Sequence, residues 1–257
     1  MIDDPLFYLL AVPAVLIAGI SKGGFGGGLG VVAVPLMALA VPPQQAAAVM
    51  LPLLCLMDVV GVWHYRGQWD RATMRILLPA AIVGIAAGTL AFGALDAAAV
   101  KLMIGLIALG FTLNWVWRRR HAIAAAGAPP SLLKGGFWGA VAGFTSFVAH
   151  AGGPPLNVYL LPQALPRTTY QATTVIFFTV VNAVKLVPYT LLGQFRTDTL
   201  TTALVLMPLV PVGMGLGIWL HRRATDRLFY IACYGFLFLT GAKLTWDGVT
   251  AWSGLPG

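Results

Sequence analysis

The amino-acid sequence predicts an all-α polytopic membrane protein built as two inverted repeats, each a glycine-broken helical hairpin followed by three transmembrane helices. Three observations predict it: the composition, an ordered internal repeat and the placement of the basic residues. Of 257 residues, 59% are hydrophobic and 9% are charged, whereas a soluble globular chain carries about 25% charged residues. That leaves too little charge to cover a water-facing surface, so extended soluble folds, coiled coils and disordered tails are excluded. A transmembrane helix needs ~20 apolar residues, and the length therefore accommodates roughly eight to ten membrane segments with short loops and no separate soluble domain.

The apolar segments fall at 6–20, 26–41, 44–63, 74–92 and 98–117, and then at 135–150, 154–165, 169–192, 198–220 and 227–246. The stretch between the two sets, 118–134, is basic, Ala/Gly-rich and carries Pro129-Pro130, the features of a linker. It divides the chain into a first repeat, 1–120, a linker, 121–134, and a second repeat, 135–257. Gly67-Gln68-Trp69 recurs as Gly193-Gln194-Phe195, and Gln45-Ala46 recurs as Gln171-Ala172 at the same offset. Pro79, Gly84 and Gly88 recur as Pro208, Gly213 and Gly217, and Gly105 and Gly110 approximate Gly235 and Gly241. An ordered series of this kind signals duplication, a common origin of transporters.

Charge fixes how the halves face. The net charge is +8, from 16 Lys and Arg against 8 acids, all of them Asp. Arg66, Arg71, Arg75, Arg118, Arg119, Arg120, Lys134, Arg222, Arg223 and Arg227 lie in three loops, 64–75, 118–134 and 221–227, which are expected to be cytoplasmic. Interspersed between apolar segments, they read as topology determinants rather than as a nucleic-acid-binding face. The termini, the 93–97 turn and loop 193–197 are expected outside. The Gly-Gln-Trp turn is then inside and its Gly-Gln-Phe counterpart outside, which is an inverted repeat. Inversion needs an odd number of crossings per half. Segments 44–63, 74–92 and 98–117 supply three, so 6–41 contributes an even number, as a hairpin with its tip at glycines 23–30. Region 135–165 is the counterpart, with its tip at 150–155. One broken helix per half, giving parallel repeats of four, is the alternative, but it does not reconcile the repeat with the basic loops. The acidic start, Met1-Ile2-Asp3-Asp4, argues against a cleaved signal peptide. Cys55 and Cys233 lie in apolar runs and read as buried thiols.

Three groups of residues could carry chemistry. The first is Ser21-Lys22-Gly23-Gly24-Phe25-Gly26-Gly27-Gly28-Leu29-Gly30. It has neither a βαβ context nor a Gly-Lys-Ser/Thr ending, so it is no nucleotide loop. Clustered glycines in a membrane mean close helix packing or unwound backbone facing a cavity, whose free N–H groups attract anions. On the second meaning Lys22, Gly26, Gly27 and Gly28 bind an anion. The second group is His150-Ala151-Gly152-Gly153-Pro154-Pro155-Leu156-Asn157, a break followed by a new helix opening on proline. Gly152, Gly153 and Asn157 would face substrate there, and His150 is titratable, although a lone histidine is more often structural. Thr145 and Ser146 either donate hydroxyls or bond back to their own backbone. The third group is Asp58 and Lys185, ionisable residues inside apolar helices and functional candidates for that reason. They align within one position in the repeat. Inversion puts them on opposite sides of the midplane, ~13 Å apart along the normal, too far for a direct ion pair without strong tilt. Lys185 could instead snorkel to the interface, and Asn182, one turn before it, could share its cavity. Gln44, Gln45, Gln171, Thr173 and Thr174 either line a path or cap helices, and Trp63, Trp69, Trp115 and Trp117 fit interfacial anchors.

With GFGGGLGVVAVP in the first half and AHAGGPPLNVYLLP in the second, the chain resembles the TauE/SafE sulfite exporter family over essentially its whole length. The resemblance implies a bacterial inner-membrane transporter of sulfur oxyanions or organosulfonates, such as sulfite or sulfoacetate. The expected function is a secondary transporter of a small sulfur-containing anion, an exporter in that family's manner. Lys22 or Lys185 and backbone N–H groups would meet the anion, and Asp58 or His150 would carry a coupling proton. An anion channel and a non-transporting membrane assembly subunit are the alternatives. No catalytic motif, metal site or cofactor is expected. The expected partners are the anion and the lipid bilayer, with a homodimer left open and no nucleic acid. Reporter fusions at residues 69 and 195 should report opposite sides of the membrane; the same compartment for both would end the inverted-repeat argument.

Overall fold

The computed structural model describes residues 1–24, 30–92, 96–120, 127, 129–223 and 226–253, and every regular element among them is helical. The chain opens with α1 (Pro5–Gly24). Past residues 25–29 come a 3-10 turn at Gly30–Val32 and a short α2 (Ala33–Met37). Three long helices follow, α3 (Pro43–Tyr65), α4 (Arg71–Phe92) and α5 (Ala97–Arg120). The second half has α6 (Leu132–Ala149), α7 (Gly153–Leu160), a 3-10 turn at Leu161–Gln163 that follows the short helix instead of preceding it, and α8 (Arg167–Leu191). It closes with α9 (Thr197–Leu206), α10 (Leu209–Arg223) and α11 (Asp226–Ser253).

Among the described residues, six helices are long and apolar enough to cross a membrane: α1, α3, α4, α6, and most of α5 and α8. The bent pair of α9 and α10 passes the same test taken together, as a broken span or a re-entrant loop. The break in that pair corrects the single segment expected over 198–220. Pro208 lacks an N–H and its ring crowds the carbonyl one turn back. Met207 therefore donates to Leu204 O at 3.3 Å in 3-10 fashion, and the two pieces meet at 46°.

In each half the short arm packs back along the long one, α2 against α1 and α7 against α6. Each hairpin thus has one arm of membrane-crossing length and one short arm. Prolines mark the ends where a missing N–H costs nothing: Pro43 opens α3, and Pro154 and Pro155 open α7.

The helices pair across the linker. α4 packs on α6, α1 on α10, α3 on α8 and α5 on α11. Exchanging the halves leaves these pairings unchanged, with α9 and α10 standing for α4. Small residues make the seams possible, because only they let two backbones approach closely. In the α4–α6 seam a Cβ on Gly84 would strike Ala140 O, and one on Gly143 would strike Ala81 O. In the α1–α10 seam a Cβ on Gly19 would lie 3.0 Å from the Gly213 backbone, and one on Gly23 would lie 2.6 Å from Met214 O. Gly84 and Gly88, which the repeat equates with Gly213 and Gly217, thus occupy matching seams. At the centre α3 and α8 run antiparallel: Tyr65 clusters with Ala172 and Val175, Gly61 abuts Val175, and Asp58 meets Asn182.

Gly143→Val should lower the melting temperature in detergent, since overpacking a tight contact costs about 1–3 kcal/mol. Gly110→Val, where a Cβ meets nothing within 4 Å, should melt like the wild type. Equal melting of the two variants would remove the seam from the account of stability.

Candidate functional site

Both interrupted helices end against the α3–α8 pair. The last turn of α1, Ser21 to Gly24, is buried, and two of its carbonyls accept from side chains of α3 and α8. Gln171 Nε2 on α8 donates to Lys22 O at 2.8 Å, and Tyr65 OH on α3 donates to Gly23 O at 3.0 Å. The Lys22 side chain turns inward. Its Nζ lies 2.5 Å from Asp58 Oδ1 and donates to Leu54 O at 3.1 Å. Asp58 is 3% exposed, and its Oδ2 accepts from Asn182 Nδ2 at 2.6 Å.

The second tip is built alike with the charge reversed. His150 closes α6 in the left-handed region at φ 51°, uncommon for a residue with a Cβ and kept only where its surroundings hold it. Tyr189 OH on α8 donates to Phe147 O at 2.8 Å, as Tyr65 does at the first tip. Lys185 is fully buried. Its Nζ donates to Ser146 O and Ser146 Oγ, both at 3.0 Å, and to His150 Nδ1 at 2.7 Å. His150 Nε2 lies 2.8 Å from Ala47 O near the start of α3. A carbonyl only accepts, and an ammonium only donates, so the imidazole is neutral with its proton on Nε2.

Between the tips lies a cavity of about 30 Å³, lined by Lys22, Ser146, His150 and Asn182 with Ala18, Gly30, Leu54 and Phe178. That is room for about two waters or one small ion. Lys22 and Asp58 cancel. Among the described residues Lys185 has no carboxylate within ion-pair distance, and the adjoining stretch 25–29 contains no ionisable side chain. With Lys185 as an ammonium, the buried groups of the described residues sum to one positive charge.

The structure brings together Lys22, Asn182 and His150 at the cavity, with Asp58 and Lys185 bonded directly behind them. Asn157 does not line this cavity: its Oδ1 accepts from Tyr170 OH on α8 at 2.6 Å. Gly152 and Gly153 are buried, and Gly152 serves packing, because a Cβ there would lie 2.7 Å from Ala142 O and 3.1 Å from the Phe178 ring. Gly26, Gly27 and Gly28 lie outside the described residues. Lys185 does not snorkel. Cys55 is half-buried rather than buried, and the Cys233 side chain lies outside the described ones. Thr145 bonds to Val141 O at 2.8 Å, whereas Ser146 faces Lys185. Gln45 reaches Asp198. Sequence reasoning missed Tyr65 and Tyr189, whose signal was a tyrosine near the end of the corresponding helix in each half.

The model of the family described as Sulfite exporter TauE/SafE matches residues 11–244. No curated protein and no solved structure matches the chain.

Lys22→Met strands a buried carboxylate and should destabilise the protein by about 3–5 kcal/mol. The double variant Lys22→Met/Asp58→Leu, which removes both charges, should recover most of that. Chemical denaturation in detergent reads both; a single variant as stable as the wild type would show that the ion pair holds nothing.

Proposed function

The chain belongs to the TauE/SafE sulfite exporter family, and from that premise we propose that it is a secondary transporter of a small sulfur-containing anion, sulfite or an organosulfonate, exported at the expense of a proton gradient. Membership in a transporter family, together with the apolar helices, makes it a multi-pass membrane protein. The observation that carries the finer reading is the surplus positive charge beside the cavity. A buried ammonium without a carboxylate is costly, and an anion in the cavity would balance it.

The anion would meet Lys22 and Asn182, with Ser146 adding a hydroxyl and Lys185 supplying positive charge from directly behind the cavity. Gly26, Gly27, Gly28, Gly152 and Gly153 would bring backbone N–H groups to it. Asp58 or His150 would carry the coupling proton. The repeats 1–120 and 135–257 would lie inverted in the inner membrane around a cytoplasmic linker at 121–134, both termini periplasmic. The antiparallel α3–α8 crossing and the exchange of pairing partners support that arrangement. The small volume of the cavity, about 30 Å³, supports a carrier over an open channel.

Proteoliposomes containing the purified protein should take up labelled sulfite saturably and respond to an imposed pH gradient. Lys185→Gln should cut the flux roughly tenfold to hundredfold, the loss of one charged partner worth about 1.5–3 kcal/mol. Non-saturating flux would favour a channel, and wild-type flux in Lys185→Gln would end this assignment.

A further inference from the structure

The ionisable groups at the cavity come from four helices: Lys22 from α1, Asp58 from α3, Lys185 from α8, and the neutral His150 from α6. Cys55, one turn before Asp58, and the tyrosines Tyr65 and Tyr189 add no charge in their thiol and phenol forms. With Lys185 as an ammonium the sum among the described residues is one positive charge beside a small cavity, where an unbalanced buried charge is strongly penalised. The charge of the occupant is therefore constrained as firmly as its size. A singly charged anion brings the site to neutrality. A doubly charged anion leaves it one negative charge over, unless a proton enters as well.

The geometry says where that proton goes. Both His150 nitrogens are engaged, Nε2 as donor to Ala47 O and Nδ1 as acceptor from Lys185. Protonating Nδ1 would set two cations 2.7 Å apart. Asp58 differs. Its Oδ2 is held by Asn182, and among the described residues its Oδ1 is met by the Lys22 ammonium alone. Lys22 also lines the cavity, so its Nζ can turn from Oδ1 to an anion there without any change of backbone.

We propose that the site selects by total charge: a monoanion binds alone, and a dianion binds only together with one proton, which replaces Lys22 on Asp58 Oδ1. In the second case a proton from the aqueous phase forms one O–H bond on Oδ1, the Lys22 ammonium passes from Asp58 to the anion, and no other bond is made or broken. This rests on the anion-transport reading above and adds to it a rule of stoichiometry: proton coupling belongs to dianions and not to monoanions.

Calorimetry on the full chain in detergent tests it, in paired buffers that differ in protonation enthalpy. Thiosulfate and sulfate serve as dianions, nitrate and methanesulfonate as monoanions. Dianions should take up one proton per site and lose affinity roughly tenfold per unit rise in pH through the neutral range, while monoanion binding should take up none and stay flat. Asp58→Asn carries one more positive charge, so it should bind dianions without proton uptake and with a flat pH profile. Proton uptake that is the same for both charge classes, or absent with wild-type dianion binding, overturns the proposal. Uptake that persists in Asp58→Asn overturns the assignment to Asp58. If that variant does not fold, the wild-type comparison of the two charge classes still decides. Failure of all four probes to bind defeats the anion reading itself and takes this inference with it.

Discussion

The fold turns on two buried helix ends, the last turn of α1 and the last turn of α6, both packed against α3 and α8. Backbone freed at a buried end has no water to turn to, and each unmet group costs several kcal/mol in hydrocarbon. The chain meets the demand with side chains from the uninterrupted pair α3 and α8. Tyr65 and Gln171 serve the end of α1, and Tyr189 and Lys185 serve the end of α6. That requirement fixes the crossing of α3 and α8, because the donors must reach both tips at once. The crossing in turn needs the outer helices close in, which the glycine seams of α1 with α10 and α4 with α6 allow.

The same requirement places charge where lipid would otherwise forbid it. Lys185 satisfies an α6 carbonyl and stays an ammonium without a carboxylate among the described residues. Three contacts hold it: Ser146 O, Ser146 Oγ and His150 Nδ1. All three acceptors are uncharged, so they stabilise the ammonium by dipoles and leave its charge unneutralised. At the other tip Asp58 neutralises Lys22 outright. The duplicated scaffold is therefore matched in hydrogen bonding and mismatched in charge, and the mismatch is what an anion can use.

Several of these features are legible in the sequence for physical reasons. An ionisable residue in an apolar run is rare and costly, which singles out Asp58 and Lys185 from their position in the chain alone. The repeat can be followed because glycines and prolines at seams and breaks admit few substitutes. Partner choice is not legible. That Lys22 meets Asp58, and that His150 meets Lys185, depends on how far α1 and α6 penetrate between α3 and α8, a tertiary matter with no local signature. Asn157 illustrates the same limit: it stands beside the Gly-Gly-Pro-Pro break, but the face of α7 it occupies is set by packing on Tyr170. Pro208 and Pro79 are repeat partners, yet only the first divides its span into two helices; nothing in the structure explains that difference.

The charge mismatch also bears on why Asn182 sits where it does. Asn182 lies on α8, one turn before Lys185, yet it donates to Asp58 of the opposite half at 2.6 Å. An amide hydrogen bond to a carboxylate persists whether or not Lys22 is present, and it remains when the carboxyl gains a proton on its other oxygen. A lysine in the place of Asn182 would pin the carboxylate in its ionised form, and a leucine would leave Oδ2 without a partner in a buried site. The asparagine accommodates both charge states of Asp58 and couples the two halves in each. With Lys185 one turn further along the same helix, α8 carries both the charge that an anion would balance and the neutral donor that would let the first tip adjust to it.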